Sequence, residues 1–321
     1  MDLEYKKREI MKDKEEIIKN INKLKEEKNA IILAHNYQPK DIQKIADFLG
    51  DSLELCIKAK ETDADIIVFC GVDFMAETAK ILNPDKKVLM PEIEGTQCPM
   101  AHQLPPDIIK EYREKYPDAP LVVYVNTTAE TKALADITCT SANADKVVNS
   151  LDAETVLFGP DNNLAYYVQK RTDKKIIPIP IGGGCYVHKK FTLEDLKRVK
   201  EKYPNAIVLI HPECNPELQD NADYIASTSG MLRIIINSNE KEFIIGTEVG
   251  MIDRIELELE KIGEKKVLIP LREDAICNEM KKITLQKIEK SLLEEIYEIK
   301  LDKDIIKRAK VAIERMLNIK G

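Results

Sequence analysis

The chain has 321 residues, a net charge of −7, 33% charged residues and no tryptophan. That charge, with aromatics at 5%, argues against a nucleic-acid backbone as partner and against a stacking surface for single strands. No apolar run approaches the ~20 residues of a membrane helix, and the charged N-terminus lacks the apolar stretch of a secretory signal, so a cytoplasmic protein with no membrane partner is expected. The length predicts more than one core. Seven cysteines, an odd number, point to metal binding or catalysis rather than a disulfide framework.

In chain order, residues 1–28 carry Ile10, Ile17, Ile21 and Leu24 at helical spacing among Lys and Glu, which predicts a half-exposed helix. A buried strand over 30–34 ends in His35-Asn-Tyr37. Residues 42–49 read as helix, and Gly50-Asp-Ser52 opens another with Ser52 as its N-cap. A strand over 65–70 stops at Gly71, a helix follows over 75–82, and a strand over 88–91 leads to Cys98. The pattern then recurs. A strand over 121–125 runs through Tyr124 to Asn126, a helix lies around 130–136, and 137–139 is strand-like. Ser141 opens a helix, a strand over 155–158 stops at Gly159, and a helix spans 163–169. A strand over 176–181 leads through three glycines to Cys185, with His188 three residues on. It recurs again, from a strand over 206–210 ending in His211-Pro-Glu-Cys214. Ser227 and Thr228 open a helix, a strand over 242–245 stops at Gly246, a helix covers 251–261, and a strand over 267–270 leads to Cys277. Residues 284–321 read as helical, with Ile305, Ala309, Ala312, Ile313 and Met316 on one face, a packing segment without chemistry.

The spacings define an internal repeat. His35, Tyr124 and His211 stand 89 and 87 residues apart, as do Ser52, Ser141 and Thr228; Gly71, Gly159 and Gly246 stand 88 and 87 apart, and Cys98, Cys185 and Cys277 stand 87 and 92 apart. Each copy reads as a small α/β unit with parallel strands and crossover helices. The expected fold is therefore three repeated three-layer αβα units with short parallel sheets about a pseudo-threefold axis. The units are residues 1–112 with the N-terminal helix, 113–195, and 196–321 with the C-terminal segment. In such sheets ligands collect beyond the carboxyl ends of the strands, where every marker sits.

One equivalent cysteine per unit gives three thiolates converging on one point. Three soft ligands without a fourth suit an iron–sulfur cluster with one incompletely ligated iron, which can act as a Lewis acid. No Cys-x-x-Cys occurs, which weakens zinc-ribbon and thioredoxin readings. Cys56, Cys70 and Cys139 read as buried small hydrophobes, and Cys214 is ambiguous beside His211 and Glu213. His211 and Glu213, two residues apart at a strand end, can face one cleft and move protons. Ser52, Ser141 and Thr228 combine helix capping with anion binding. His188 is a candidate substrate or supporting residue, and His102 a surface one.

Taken together, Ala34-His-Asn-Tyr-Gln38, Gly50-Asp-Ser-Leu-Glu54, the run from Phe69 to Lys80, Tyr124-Val-Asn126, Cys185-Tyr-Val-His188, His211-Pro-Glu-Cys214 and Arg272-Glu-Asp-Ala-Ile-Cys277 resemble the quinolinate synthase family over roughly residues 30–285. The resemblance implies a [4Fe–4S] enzyme of NAD biosynthesis that condenses iminoaspartate with dihydroxyacetone phosphate, releasing phosphate and water. It also implies a functional link to an enzyme that produces iminoaspartate. By motif, Cys98, Cys185 and Cys277 would ligate the cluster and leave one iron open. His35, Ser52, Tyr124, Asn126, Ser141, His188, His211, Glu213 and Thr228 would hold substrate, while Glu213, Tyr37 and His211 would be the catalytic residues, with Glu213 and Tyr37 foremost in moving protons. Asn278-Glu-Met280 follows Cys277, so the thiol switch that further cysteines give some relatives there is not expected. Two readings of other classes stay open at this point: an iron–sulfur sensor without catalysis, and a zinc enzyme using the same thiols.

Overall fold

A computed structural model describes residues 2–319, with side chains from residue 13 onward; Ile10 of the expected N-terminal helix face, Met1 and residues 320–321 lie outside that description. The described chain contains three four-stranded sheets, all parallel, each with the same strand order. The first holds β1 (Ala30–His35), β2 (Phe48–Gly50), β3 (Ile66–Cys70) and β4 (Lys87–Leu89) in the order β2-β1-β3-β4. The second holds β5 (Leu121–Tyr124), β6 (Ile137–Cys139), β7 (Thr155–Gly159) and β8 (Lys175–Pro178) as β6-β5-β7-β8. The third holds β9 (Ile207–Ile210), β10 (Tyr224–Ile225), β11 (Glu242–Gly246) and β12 (Val267–Pro270) as β10-β9-β11-β12. Helices connect the parallel strands and cover the sheets, so the α/β architecture of three repeated units is the observed one.

Alternation along the central strands explains the layering, because successive side chains point to opposite faces. Leu33 and Phe69, Val122 and Phe158, and Leu209 and Phe243 all enter one apolar core shared by the three units. Their neighbours point outward into separate cores. Ile32 and Val68 meet Ile21, Ile288 and Leu292. Leu121, Val123 and Leu157 meet Ile109. Val208, Ile210 and Ile244 meet Phe191 and Leu196. Both faces of each sheet are thus buried, which is why the strands read as continuous apolar runs.

Among the second strands, β6 matches the strand expected over 137–139, whereas β2 and β10 escaped the sequence pattern. Residues 42–49, expected as one helix, are a helix over Lys40–Ile45 followed by β2. The edge strands are two or three residues long and are fixed by an aspartate at their start. Asp47 accepts the Ile32 N–H at 2.7 Å, Asp136 that of Leu121 at 2.7 Å, and Asp223 that of Val208 at 2.7 Å. An Ala-Asp pair recurs there at Ala46-Asp47, Ala135-Asp136 and Ala222-Asp223.

The C-terminal segment packs as two helices. Leu285–Glu294 lies on the N-terminal helix Asp2–Glu27. Lys303–Leu317 crosses to the second sheet, burying Ala309, Ala312, Ile313 and Met316 against β6 and its neighbours. No helix among the described residues is long and apolar enough to cross a membrane.

Phe158 is fully buried in the shared core. Phe158→Ala should cost about 3–5 kcal/mol, read as a lowered urea midpoint with little change in slope. Val311→Ala, on the exposed side of the last helix, should stay within about 0.5 kcal/mol.

Candidate active site

The carboxyl ends of the strands open into one cavity. All the residues expected to bind metal, hold substrate or move protons line it. His35, Tyr37, Ser52 and Cys98 come from the first repeat. Tyr124, Asn126, Ser141, Cys185 and His188 come from the second, and His211, Glu213, Thr228 and Cys277 from the third.

The three thiols arrive on equivalent loops. Each sulfur is met by the backbone N–H of the residue three positions on: Ala101 for Cys98, His188 for Cys185 and Met280 for Cys277. Burial pushes the Cys98 thiol up to about 12. Burial does the same to Cys185 and Cys277, and Cys185 is pushed further by Glu213 and by the other two thiols. The glycines before Cys185 serve close approach: a Cβ on Gly183 would collide with the Pro160 carbonyl oxygen, and Gly184 has φ +151°. Cys214 is settled as structural. It is fully buried in the third unit's outer core, its Sγ–H donating to the Gly246 carbonyl at 3.3 Å. Cys56, Cys70 and Cys139 are buried in cores, and His102 is half-exposed, bonded to Asp73.

A chain of hydrogen bonds crosses the cavity floor. Tyr124 donates its hydroxyl to Glu213 Oε1 at 2.7 Å, and His188 Nδ1 lies 2.8 Å from Glu213 Oε2 as an ion-pair contact. His188 Nε2 reaches Thr247 Oγ1 at 2.9 Å, and Thr247 reaches the Tyr37 hydroxyl at 2.6 Å. His211 stacks on His188 with centroids 4.7 Å apart. His35 and His211 are set identically. Each Nδ1 accepts the N–H two residues on, Tyr37 at 3.2 Å and Glu213 at 3.3 Å, which leaves the ring proton on Nε2. Cys185, His188 and Glu213 also bring one ligand atom each within 4.8 Å of one another, a set that could hold a metal ion.

Residues 19–318 match the family model described as quinolinate synthetase A protein. The chain belongs to the quinolinate synthase family. It is 84% identical to the quinolinate synthase of Methanocaldococcus jannaschii over 304 residues, covering 95% of this chain and 99% of that one. Identity is 59% with the quinolinate synthase of Methanothermobacter thermautotrophicus, over 94% of this chain and 97% of the relative. It is 51% with that of Thermotoga maritima, over 95% of this chain and 100% of the relative. Like them, the chain is an enzyme.

In this quinolinate synthase family member the capping expectation needs correction. The residue before each expected cap does that work in two units: Asp51 accepts from Leu53 and Glu54 N–H in a full capping box, and Ser227 accepts from Gly230 N–H. Ser52 and Thr228 are the first helical residues, and the second unit's helix starts at Ala144, after Asn143. None of the three expected hydroxyls is used as a cap; all three line the cavity, Ser52 and Thr228 from helix starts and Ser141 from the turn before its helix. Asn126 Oδ1 is buried with no hydrogen-bond partner among the described residues.

Four residues escaped sequence reasoning: Thr247, which joins His188 to Tyr37, and Asp73, Asp161 and Glu248, which hold the cysteine loops. All four lie one or two residues past the marker glycines, so the same repeat contained the signal.

Burial governs the charges here. It is the main reason that His35 and His211 are lowered to about 3, and each is further depressed by a neighbouring imidazole. Burial alone would raise the Glu213 carboxyl, but His188 and His211, with hydrogen bonds from His188 and Tyr124, outweigh it and hold the group below the usual carboxylate range. Since His211 is itself neutral, the His188 contact and the Tyr124 hydroxyl carry that effect. Burial first and Glu213 second hold the Tyr37 hydroxyl well above its ordinary value.

Neutral buried histidines tie stability to pH. Between about 6.5, the unfolded value, and 3 the unfolded chain binds protons that the folded chain refuses, so stability present above 6.5 is lost as pH falls. At pH 5 the metal-free chain should have lost roughly 2 kcal/mol for each of the two histidines. Urea unfolding at pH 7 and pH 5 measures this, and His35→Gln should remove its share of the difference.

Proposed function

We propose that this chain makes quinolinate in NAD biosynthesis by condensing iminoaspartate with dihydroxyacetone phosphate, with release of phosphate and water. The observation that carries this reading is that three thiol loops and a Tyr–Glu–His–Thr–Tyr hydrogen-bond chain, drawn from three different units, share one cavity. Cys98, Cys185 and Cys277 would hold a [4Fe–4S] cluster. The donor set fits that group: three thiols facing one cavity, a peptide N–H at each sulfur, and no fourth cysteine among the cavity-lining residues. When bound, the cluster would supply a Lewis-acidic iron without a protein ligand, suited to a hydroxyl or carboxylate of the reacting molecule.

The side chains divide the remaining work by charge. Both substrates are anionic, and an acidic protein must bind them with local donors. His35 and His211 present neutral Nε2–H groups, Ser141 presents a hydroxyl from a turn, and Ser52 and Thr228 present hydroxyls at helix starts, where backbone N–H groups favour carboxylate or phosphate. Asn126 offers an amide whose oxygen has no other partner. Glu213, held ionised, is the base that takes a proton from the reacting carbon chain. Tyr37, held protonated, is the acid at the far end of the chain through Thr247 and His188. Burial of the whole assembly keeps bulk water from the unstable imine. The site would draw its iminoaspartate from a separate enzyme in the same compartment, the cytoplasm.

An anaerobic assay with iminoaspartate and dihydroxyacetone phosphate, with iron and sulfide analysis, tests the assignment. Glu213→Gln should keep its iron while turnover falls by about 10²–10⁴; a variant with parent turnover removes Glu213 from proton transfer. Cys185→Ala should lose the cluster and its absorbance. The Cys185–His188–Glu213 set supports a second reading, a single zinc ion. Colourless anaerobic protein carrying stoichiometric zinc would establish it in place of the cluster.

A further inference from the structure

The three cysteine loops share a fastening that the cluster assignment does not require. Cys98 donates its backbone N–H to Asp73 Oδ1 at 2.9 Å, Cys185 to Asp161 Oδ2 at 3.2 Å, and Cys277 to Glu248 Oε1 at 3.2 Å. The three acids stand 88 and 87 residues apart, each two residues past a strand-terminal glycine. In two units the other carboxylate oxygen holds the start of the following helix: Asp161 Oδ1 accepts from Leu164 N–H at 2.7 Å, and Glu248 Oε2 from Gly250 N–H at 2.8 Å. In the first unit Asp73 is itself the first residue of its helix, and its other oxygen meets His102 at 2.7 Å. Glu248 also pairs with Lys281 at 2.9 Å. Asp161 and Glu248 are fully buried.

Resting on the reading that these cysteines hold the cluster, we propose that Asp73, Asp161 and Glu248 are its positioning residues. Each ties one ligand's peptide to the helix that follows the preceding strand, so the thiols face the cavity before iron arrives. Each also binds the cysteine N–H, and Asp73 and Glu248 place a carboxylate beside the ligand, whereas burial pushes the Asp161 carboxyl up to about 8 and leaves it the hydrogen bond alone. Cluster potentials follow net charge and hydrogen bonds to sulfur, so both effects would oppose reduction of a cluster held there.

The test compares Asp73→Asn, Asp161→Asn and Glu248→Gln with the parent and with Cys185→Ala, all prepared anaerobically with reconstituted clusters. Iron and sulfide are counted, iron release to EDTA is timed, and midpoint potentials are read by titration monitored by electron paramagnetic resonance. Each acid variant should release iron several-fold faster, and Asp73→Asn and Glu248→Gln should show a potential shifted to less negative values. A purely structural role would alter release or folding but leave the potential of the bound cluster in place. Parent potentials in Asp73→Asn and Glu248→Gln, whether or not release quickens, overturn the proposal. Asp73 caps no helix through its side chain, so Asp73→Asn decides the question alone where the other two fail to fold. If Cys185→Ala keeps a full cluster, it is the ligand assignment that fails; if it loses the cluster while the acid variants match the parent, only the positioning role does.

Discussion

None of the three sheets can be covered by its own unit alone. Each has one face in a separate outer core and the other against a core to which all three contribute, where Phe69, Phe158 and Phe243 are buried together. A short parallel sheet with one bare apolar face is not a stable object in water. The shared core therefore holds the units in a fixed mutual arrangement, and that arrangement aims three sets of strand ends at one place. The cavity is a consequence of how the apolar faces are satisfied.

Convergence of strand ends has an electrostatic cost, because it buries imidazoles, carboxylates and thiols away from water. The protein meets it by pairing within the cavity wall. Glu213 is held by Tyr124, His188 and the fold around it, while Asn163 fixes its backbone carbonyl at 2.8 Å. His35 and His211 are kept neutral by burial and oriented by peptides two residues on. The result is an array of oriented donors, arranged before any ligand enters, which is what electrostatic preorganisation asks of a site.

Much of this was legible in the sequence because duplication wrote it three times. Matching intervals between histidine or tyrosine, hydroxyl, glycine and cysteine markers placed the strand ends without any need to identify individual elements. What escaped detection was either too short or one position away from the obvious residue. β2 is three residues long and carries no alternation to detect; its signal is the aspartate at position 47 bonding back to β1. The caps fell on Asp51 and Ser227 because a hydroxyl at the first helical position looks, in sequence, like one at the cap. Thr247 is an ordinary residue whose meaning depends on side chains from positions 37 and 188, contacts that no local pattern encodes.

Equivalent positions have diverged where the chemistry is asymmetric and stayed alike where it is not. Two residues past the first marker the repeats carry Tyr37, Asn126 and Glu213, a phenol, an amide and a carboxyl group on one scaffold position. The marker itself is His, Tyr and His. The cysteines, by contrast, are identical in all three copies, and so is the fastening of their N–H groups to a carboxylate. The proposed cube-shaped cluster would present three equal corners to three equal loops, whereas the proposed pair of different substrates would present nothing threefold. Selection on a triplicated unit would then preserve symmetry at the loops and erode it at the strand ends. That division between conserved loop and varied strand end is the one the repeats display, which makes the internal comparison of the three copies itself an argument for where metal ends and substrate begins.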